Sequence, residues 1–573
     1  MKIKFLLLFF SFFLCNIALA QLPYKYNLKG FGGISVDQGF SILSDSKNDV
    51  ILGGYFRNEV NFNFPVSTWT LKSKGSEDIF INKYTPDGIL IWAVGMGGIG
   101  PDRCTSSAVD SKDNIYITGA FRDTVDFNSG DANFRKVSAG SNDVFIAKLN
   151  SEGNLVWVKQ IKGKLDDTGK SITVDSDGNV FLTGVFQSSI EFEGSPQFNM
   201  TTVRNYDVFI AKLDADGNFI WAKQIGGTGD DIANTITVDP SNQIIVMGTY
   251  NSDIDFDPGV NVFKLLQTGV YPNMFVLKLN GNGEFVWAKQ IASENIVIPY
   301  TAKTDPLGNI YSIGTFRSKV DFDPDANIFN LTSPGVSGDA FILKLNKDGN
   351  LVWAKQIGGR LNEIGLGLTL DSDNNIYTTG CYEEGADFDP GPNEFIMHTN
   401  GIENNNDIFI SKLNSNGEFL WAGSINGDLE DIGFSVCVDK NLRIHSTGIF
   451  SGNVVFKLNN DSTWMTSNGG TDILFQSLDQ LIVRVEDHQS NEAISLFPNP
   501  CLTDLNIEFL SNNELTTQIS LIDINGKNIL AKSLPTSFGK NNWIISTSKI
   551  QSGIYTLKLN QQSTSITSKI VVE

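Results

Sequence analysis

The sequence predicts an all-β protein, a seven-bladed β-propeller over residues 21–485 followed by a small immunoglobulin-like β-sandwich over residues 494–573. Three observations support this prediction. A unit of about 66 residues repeats along most of the chain, its segments are short and rich in β-branched and aromatic residues, and no segment shows a helical period. A four-stranded sheet repeated at this spacing is typical of a propeller blade.

The repeat is clearest in six tryptophans that recur every 64 to 68 residues: Trp92, Trp157, Trp221, Trp287, Trp353 and Trp421. Each lies in a phrase such as FVWAKQI (285–291). A second phrase, such as DVFIAKL (143–149), precedes the tryptophan, and an aromatic-ended segment such as TGIF (447–450) ends a hairpin. Asn-Gly and Asp-Gly turns separate these phrases, because both residues accept positive φ. Each repeat is therefore expected to hold four antiparallel strands.

The count of phrases bears on how the propeller closes. The hairpin segment occurs seven times, but the tryptophan phrase occurs only six times. Residues 24–33 align without gaps with residues 218–227, and Asn27 falls where the tryptophan would be. We therefore expect an N-terminal strand to complete the last blade, which removes an open sheet edge. The alternative is that residues 481–485 supply this strand.

Composition excludes several classes of protein. The chain has 573 residues, 43 Lys and Arg against 64 Asp and Glu, a net charge of −21, and only three histidines. Because phosphate binding requires a basic surface, no nucleic-acid partner is expected. Four cysteines outside the N-terminal segment share no spacing pattern, so they are expected to be unpaired core residues, with Cys381 and Cys437 as the pair to check for a bridge.

The N-terminus has the features of a secretory signal peptide over residues 1–20. Two lysines precede the apolar run 5–14, and small residues follow at Ala18 and Ala20. No later segment offers about 18 consecutive apolar residues, so no transmembrane segment is expected in the mature chain. Residues 486–493 are polar and are interpreted as a linker to the tail.

The tail contains motifs of a known family. Its residues include the run Phe497-Pro498-Asn499-Pro500, a turn ending at Gly526, and the segment Ser552-Gly553-Ile554-Tyr555. The tail resembles the type A sorting domain of type IX secretion in Bacteroidota. This resemblance implies export to the periplasm, passage across the outer membrane, the type IX machinery as partner, and a secreted or outer-membrane surface location. The expected sorting motif residues are Phe497, Pro498, Asn499, Pro500, Gly526, Gly553 and Tyr555.

The repeats themselves resemble the bacterial SBBP-type β-propeller repeat over about residues 24–485. That resemblance implies a fold only, because propellers serve many functions.

One acid recurs in the loop after the tryptophan strand, where only Val297 interrupts the series. Its members are Asp37, Asp102, Asp167, Asp231, Glu363 and Asp431. One interpretation is a cation-attracting funnel at the channel mouth, with Ca²⁺ as the ion. The other is that each acid accepts hydrogen bonds from its own loop, which recurrence in nearly every repeat favours, because ligand sites usually break the symmetry of a repeat.

The sequence contains no catalytic motif that points to an enzyme class. The leading hypothesis is a secreted or cell-surface, non-enzymatic binding or adhesion module for an unknown extracellular glycan or protein. The alternatives are an extracellular polysaccharide-active enzyme with acids at the channel mouth, and a structural spacer. No catalytic residue is predicted, and no cofactor beyond the Ca²⁺ interpretation.

Overall fold

The computed structural model describes residues 23–63, 69–128, 131–334, 337–399, 405–458, 461–480, 494–497, 501, 503–511, 515–523, 526–537, 539–561 and 564–572. The chain divides into two units, Met1–Leu481 and Ile482–Glu573. The predicted signal peptide (1–20), the alternative closing strand (481–485), the linker (486–493) and the residues Pro498, Asn499 and Pro500 lie outside the described residues.

The first unit is built from strands. The first three repeats and the N-terminal strand contain β1 (Pro23–Phe31), β2 (Gln38–Ser44), β3 (Val50–Asn61), β4 (Thr70–Tyr84), β5 (Leu90–Gly98), β6 (Arg103–Val109), β7 (Ile115–Asp126), β8 (Arg135–Leu149), β9 (Leu155–Gly163), β10 (Thr168–Val174), β11 (Val180–Phe192), β12 (Met200–Leu213) and β13 (Phe219–Ile225). The only helices among the described residues are two short 3-10 turns, Ala132–Phe134 and Pro196–Phe198.

The later repeats contain shorter strands. They are β14 (Ile232–Val238), β15 (Ile244–Tyr250), β16 (Ile254–Asp255), β17 (Lys264–Leu265), β18 (Asn273–Leu279), β19 (Phe285–Ile291), β20 (Val297–Thr304), β21 (Ile310–Phe316), β22 (Lys319–Asp321), β23 (Asn330–Thr332), β24 (Asp339–Leu345), β25 (Leu351–Ile357), β26 (Glu363–Leu370), β27 (Ile376–Tyr382), β28 (Ala386–Asp387), β29 (Ile396–Met397), β30 (Asp407–Leu413), β31 (Phe419–Gly427), β32 (Ile432–Val438), β33 (Ile444–Phe450), β34 (Asn453–Leu458), β35 (Asp461–Thr466) and β36 (Asp472–Gln480).

The same antiparallel four-strand order recurs along the first unit. It is seen in β14-β15-β18-β19, in β20-β21-β24-β25 and in the first four strands of β26-β27-β30-β31-β34-β35. In the first three repeats short pairings, such as Gly97 with Asp126 and Ile161 with Phe192, link the strands into one twelve-stranded sheet. The first strands of successive repeats contact one another, and β32 contacts β2. The prediction of an all-β chain of propeller-like repeats is confirmed.

The N-terminal strand completes the last sheet, as the alignment predicted. β1 pairs with β36 in the order β1-β36-β33-β32. Asn27 is the partner of Ser477 in this sheet, just as Trp221 is the partner of Lys212 in its own sheet. The strand β1 therefore takes the place, and the pairing register, that the tryptophan strand has in the other sheets.

The tryptophans pack between neighbouring repeats. The Nε1–H of Trp92 donates to the carbonyl of Ser151 (3.2 Å), and that of Trp157 donates to Ala215 (3.2 Å), each in the following repeat. Gly153 lies in a turn at φ +83°, and a Cβ added there would lie 2.9 Å from the ring of Trp92. The turn glycine is thus required both by its conformation and by the neighbouring ring.

The second unit has two antiparallel sheets with a common apolar core. Its strands are β37 (Ile494–Phe497), β38 (Asp504–Ser511), β39 (Leu515–Ile522), β40 (Asn528–Thr536), β41 (Gly539–Ser546), β42 (Gly553–Gln561) and β43 (Thr564–Val572). The sheet orders are β37-β38-β41 and β40-β39-β42-β43. Leu505 and Ile507 of the first sheet pack with Ile519 and Leu557 of the second.

The described residues of the sorting motif have structural roles in the second unit. Phe497 pairs with Asn506 at the end of β37, and Gly526 turns the chain at φ +79°. Gly553 begins β42, and the hydroxyl of the buried Tyr555 donates to the carbonyl of Gln551 (2.6 Å).

Candidate functional site

The six recurring acids lie in the protein interior. Their side chains belong to residues that are between 0% and 1% exposed: Asp37, Asp102, Asp167, Asp231, Glu363 and Asp431. This burial does not fit the interpretation of a solvent-facing acidic funnel. Among the described residues, no group of three or more acidic, histidine or cysteine side chains is arranged to hold a metal ion.

Each of these acids accepts at least one backbone hydrogen bond within its repeat. In Asp231, Oδ2 accepts from the N–H of Gly227 (2.8 Å) and Oδ1 accepts from that of Asn251 (3.1 Å). Asp102 accepts from Gly98 (2.8 Å) and Arg122 (3.1 Å) in the same way. In Asp37, Asp102 and Asp231 the carboxyl group thus links the loop to the end of the second strand. Asp167 and Asp431 accept from the end of the strand alone, and Glu363 accepts from the loop alone.

Sequence reasoning missed a second buried acid beside each member of the series. The pairs are Asp78 with Asp102, Asp143 with Asp167, Asp207 with Asp231, Asp339 with Glu363, Asp407 with Asp431, and Asp472 with Asp37. Within each pair, burial is the main cause of a raised pKa, and the neighbouring carboxyl adds to it. The pKa is about 8 for Asp102 and about 9 for Asp431. The aspartate at the start of each DVFIAKL-like phrase could have indicated this second acid.

One repeat lacks both acids together. Val297 replaces the loop acid and Asn273 replaces its partner. In the third repeat a Cβ added to Gly226 would lie 2.2 Å from the carboxyl carbon of Asp207, whereas the equivalent residue of the exceptional repeat is Ala292. Both acids of the pair are thus replaced in the same repeat, as expected of groups that support a loop together.

A different set of side chains lines the central cavity. This cavity, of about 270 Å³, is bounded by the first strand of every repeat, from β2 to β32. At one equivalent position the repeats place unlike residues around it, namely Phe40, Thr105, Lys170, Asn234, Tyr300, Leu366 and Phe434. Variation at one position among otherwise similar repeats is typical of a ligand site.

A wider pocket of about 500 Å³ adjoins this cavity and shares three residues with it. We call it the basic pocket; it is lined by Phe40, Pro101, Arg103, Thr105, Ala120, Arg122, Asn142, Thr168 and Lys170. Its lining contains three cationic side chains and no carboxylate, in a chain of net charge −21. Its volume lies within the range of about 300–1,000 Å³ that small-molecule sites occupy.

Two family models match the chain. Residues 495–573 match the secretion system C-terminal sorting domain, and residues 156–185 and 352–380 match the beta-propeller repeat. The chain therefore contains beta-propeller repeats and a type IX C-terminal sorting domain. This confirms both resemblances seen in the sequence, and the sorting domain indicates export to the cell surface or the medium. Among the described residues, no helix has the length and apolar character needed to cross a bilayer.

The curated relatives of this propeller repeat protein are distant and longer. An uncharacterized WD repeat-containing protein of Acanthamoeba polyphaga mimivirus is 25% identical over 73% of this chain, which spans 36% of that relative. Regulatory protein FlaEY of Caulobacter vibrioides is 24% identical over 35% of this chain, which spans 22% of its length.

The similar solved structures are also distant. A protein of unknown function from Bacteroides caccae is 11% identical, with a TM-score of 0.31, over 68% of this chain and 94% of its own. A gluconolactonase from Xanthomonas campestris is 10% identical, with a TM-score of 0.27, over 61% of this chain and 94% of its own.

Proposed function

We propose that the repeats close into a seven-bladed propeller over residues 21–485, and that this propeller is a non-enzymatic module binding an extracellular glycan, protein or envelope component. The contact between β32 and β2 supports closure, as does the pairing of β1 with β36. The signal peptide, the linker at 486–493 and an immunoglobulin-like arrangement of residues 494–573 belong to the same proposal.

A binding role is supported by the positions at which the repeats differ in their residues. The buried acids and the tryptophans recur because they hold loops and neighbouring sheets in place. The side chains around the cavity and the basic pocket differ from repeat to repeat instead. A structural spacer needs no such specialised concave surface.

A binding screen tests this proposal. The purified secreted protein is incubated with immobilised polysaccharides and with fractions of the cell envelope. We expect at least one of them to bind, and we expect Ala120→Tyr to weaken that binding by filling the basic pocket. Tyr55 already occupies this repeat position, so the fold should accept the change.

Ala120→Val is the matched control, since Val185 stands at the same position in the third repeat. Binding that is insensitive to Ala120→Tyr, or no binding to any fraction, would contradict the proposal.

A further inference from the structure

Three cations converge in the basic pocket from different repeat positions. Arg103 is the only cation at its position, where other repeats have residues such as Gln38 and Thr168. Lys170 is likewise the only cation at its own position. Arg122 occupies a position that Arg57 and Arg317 also hold, but only Arg122 among these lines the pocket. The convergence is therefore a local feature and not a property of the repeat.

The arginines are held in place by protein groups. The Nε–H of Arg103 donates to Glu77, and its guanidinium carbon lies 5.3 Å from the centre of the Tyr55 ring. The Nε–H of Arg122 donates to Oδ1 of Asn142 (3.2 Å). Fixing an arginine by its Nε–H lowers the entropy lost when its remaining donors bind a ligand.

The carboxylates near the pocket do not balance its charge. Glu77 is 1% exposed and is shared by Arg57 and Arg103, and Asp166 lies 3.4 Å from an Nη of Arg122. Of the three cations that line the pocket, Arg103 and Arg122 each lie against one of these carboxylates, which leaves Lys170 without one. Within the described part of the chain, the side chain of Lys170 makes neither a hydrogen bond nor an ion pair. Burial lowers the pKa of Lys170, an effect that a bound anion opposes.

We propose that the basic pocket binds the oxyanion groups of an acidic polysaccharide, either carboxylate or sulfate. This inference rests on the proposed binding function and specifies its ligand class. An arginine fork matches the planar geometry of an oxyanion, and an unpaired lysine supplies a further donor. Phe40 provides an aromatic surface in the same pocket, suited to the apolar face of a sugar ring.

Titration of the purified secreted protein with three polymers tests the proposal. Polygalacturonate presents carboxylates, dextran sulfate presents sulfates, and dextran is neutral. We expect one or both acidic polymers to bind, with an affinity that falls as salt rises, and we expect dextran not to bind. The stronger of the two acidic polymers identifies the group that the pocket prefers.

Substitutions taken from other repeats locate the binding. Arg103→Thr, Arg122→Gln and Lys170→Asn each introduce the residue of another repeat, at Thr168, Gln187 and Asn234. We expect each to weaken binding of the acidic polymer by about tenfold or more, because a charge-assisted hydrogen bond is lost. Arg317→Gln is the control, since it removes a cation at the repeat position of Arg122 but outside the pocket.

The inference is overturned if no acidic polymer binds, if the three pocket variants bind as the unaltered protein does, or if Arg317→Gln weakens binding as much as they do. A neutral polysaccharide or envelope fraction whose binding is blocked by Ala120→Tyr would overturn the inference while leaving the proposed function intact. If no fraction of any kind binds, both are overturned.

Discussion

At the scale of single residues, the buried acids are supports of loops. Asp231 accepts two backbone hydrogen bonds, and its neighbour Asp230 is exposed. We expect Asp231→Ala to lower the free energy of unfolding by about 1–3 kcal/mol, because two N–H groups lose their acceptor. Asp230→Ala should lower the melting temperature much less, because the carboxylate of Asp230 accepts a long hydrogen bond of 3.5 Å from the N–H of Tyr206.

The melting temperature also tests whether Ca²⁺ binds at these acids. If the acids only support loops, adding chelator should not shift the melting temperature. A chelator-dependent shift of several degrees that Asp231→Asn removes would favour a metal site, since a bound ion stabilises the native state.

The paired carboxyls also predict how stability depends on pH. Their pKa is raised on folding, to about 8 for Asp167 and about 9 for Asp431, so the native protein binds protons that the unfolded chain has released. Their contribution is fully present below the unfolded pKa near 4 and is lost as pH rises through the folded value. Thermal melts from pH 5 to pH 9 should therefore show a falling melting temperature.

Variants separate the contributions of individual pairs. Asp431→Asn should reduce the loss of the free energy of unfolding with rising pH, up to about pH 9 and by at most about 1.4 kcal/mol per pH unit. Asp231→Asn should reduce this loss of stability only below about pH 7, because the pKa of Asp231 is raised to about 6. Identical slopes in the unaltered protein and Asp431→Asn would contradict this account.

At the scale of the strand, β1 has the role of a closing element. Its Phe31 is 1% exposed and lies 5.3 Å from the ring of Tyr84, in the next sheet along the chain. Deleting residues 21–31 should expose the edge of β36 and lower the melting temperature by several degrees. Phe31→Ala should by itself lower the free energy of unfolding by about 3–5 kcal/mol.

Phe329→Ala is the matched control, because Phe329 is 40% exposed and should tolerate truncation. An unchanged melting curve after the deletion would favour residues 481–485 as the closing strand.

Elements were easier to predict than sites. Strand register repeats with the sequence, so the partner of Asn27 could be inferred from the alignment with Trp221. The basic pocket could not be inferred in this way, since residues from three repeats form it and no local pattern unites Arg103 with Lys170. The burial of the acids could not be inferred, because sequence gives a position along a loop but not the depth at which the loop holds its side chain.

At the scale of the whole molecule, the two units have separate roles. We expect the first unit to fold by itself and the second to direct export. The apolar clusters of the propeller repeats contain residues of the first unit alone, and the sorting domain has its own core. A chain that ends at residue 481 should therefore fold and keep the melting temperature of the repeats.

The same truncation tests the sorting tail. Without residues 482–573 the protein should cross the inner membrane, since its predicted signal peptide is intact, but it should stay in the periplasm because the type IX machinery has no sorting domain to recognise. Fractionation of cells that produce the full and shortened chains measures this directly. Truncated protein in the medium at the level of the full chain would contradict the sorting role. If the truncated protein is folded correctly and stays in the periplasm, the tail contributes to export across the outer membrane and not to the stability of the repeats.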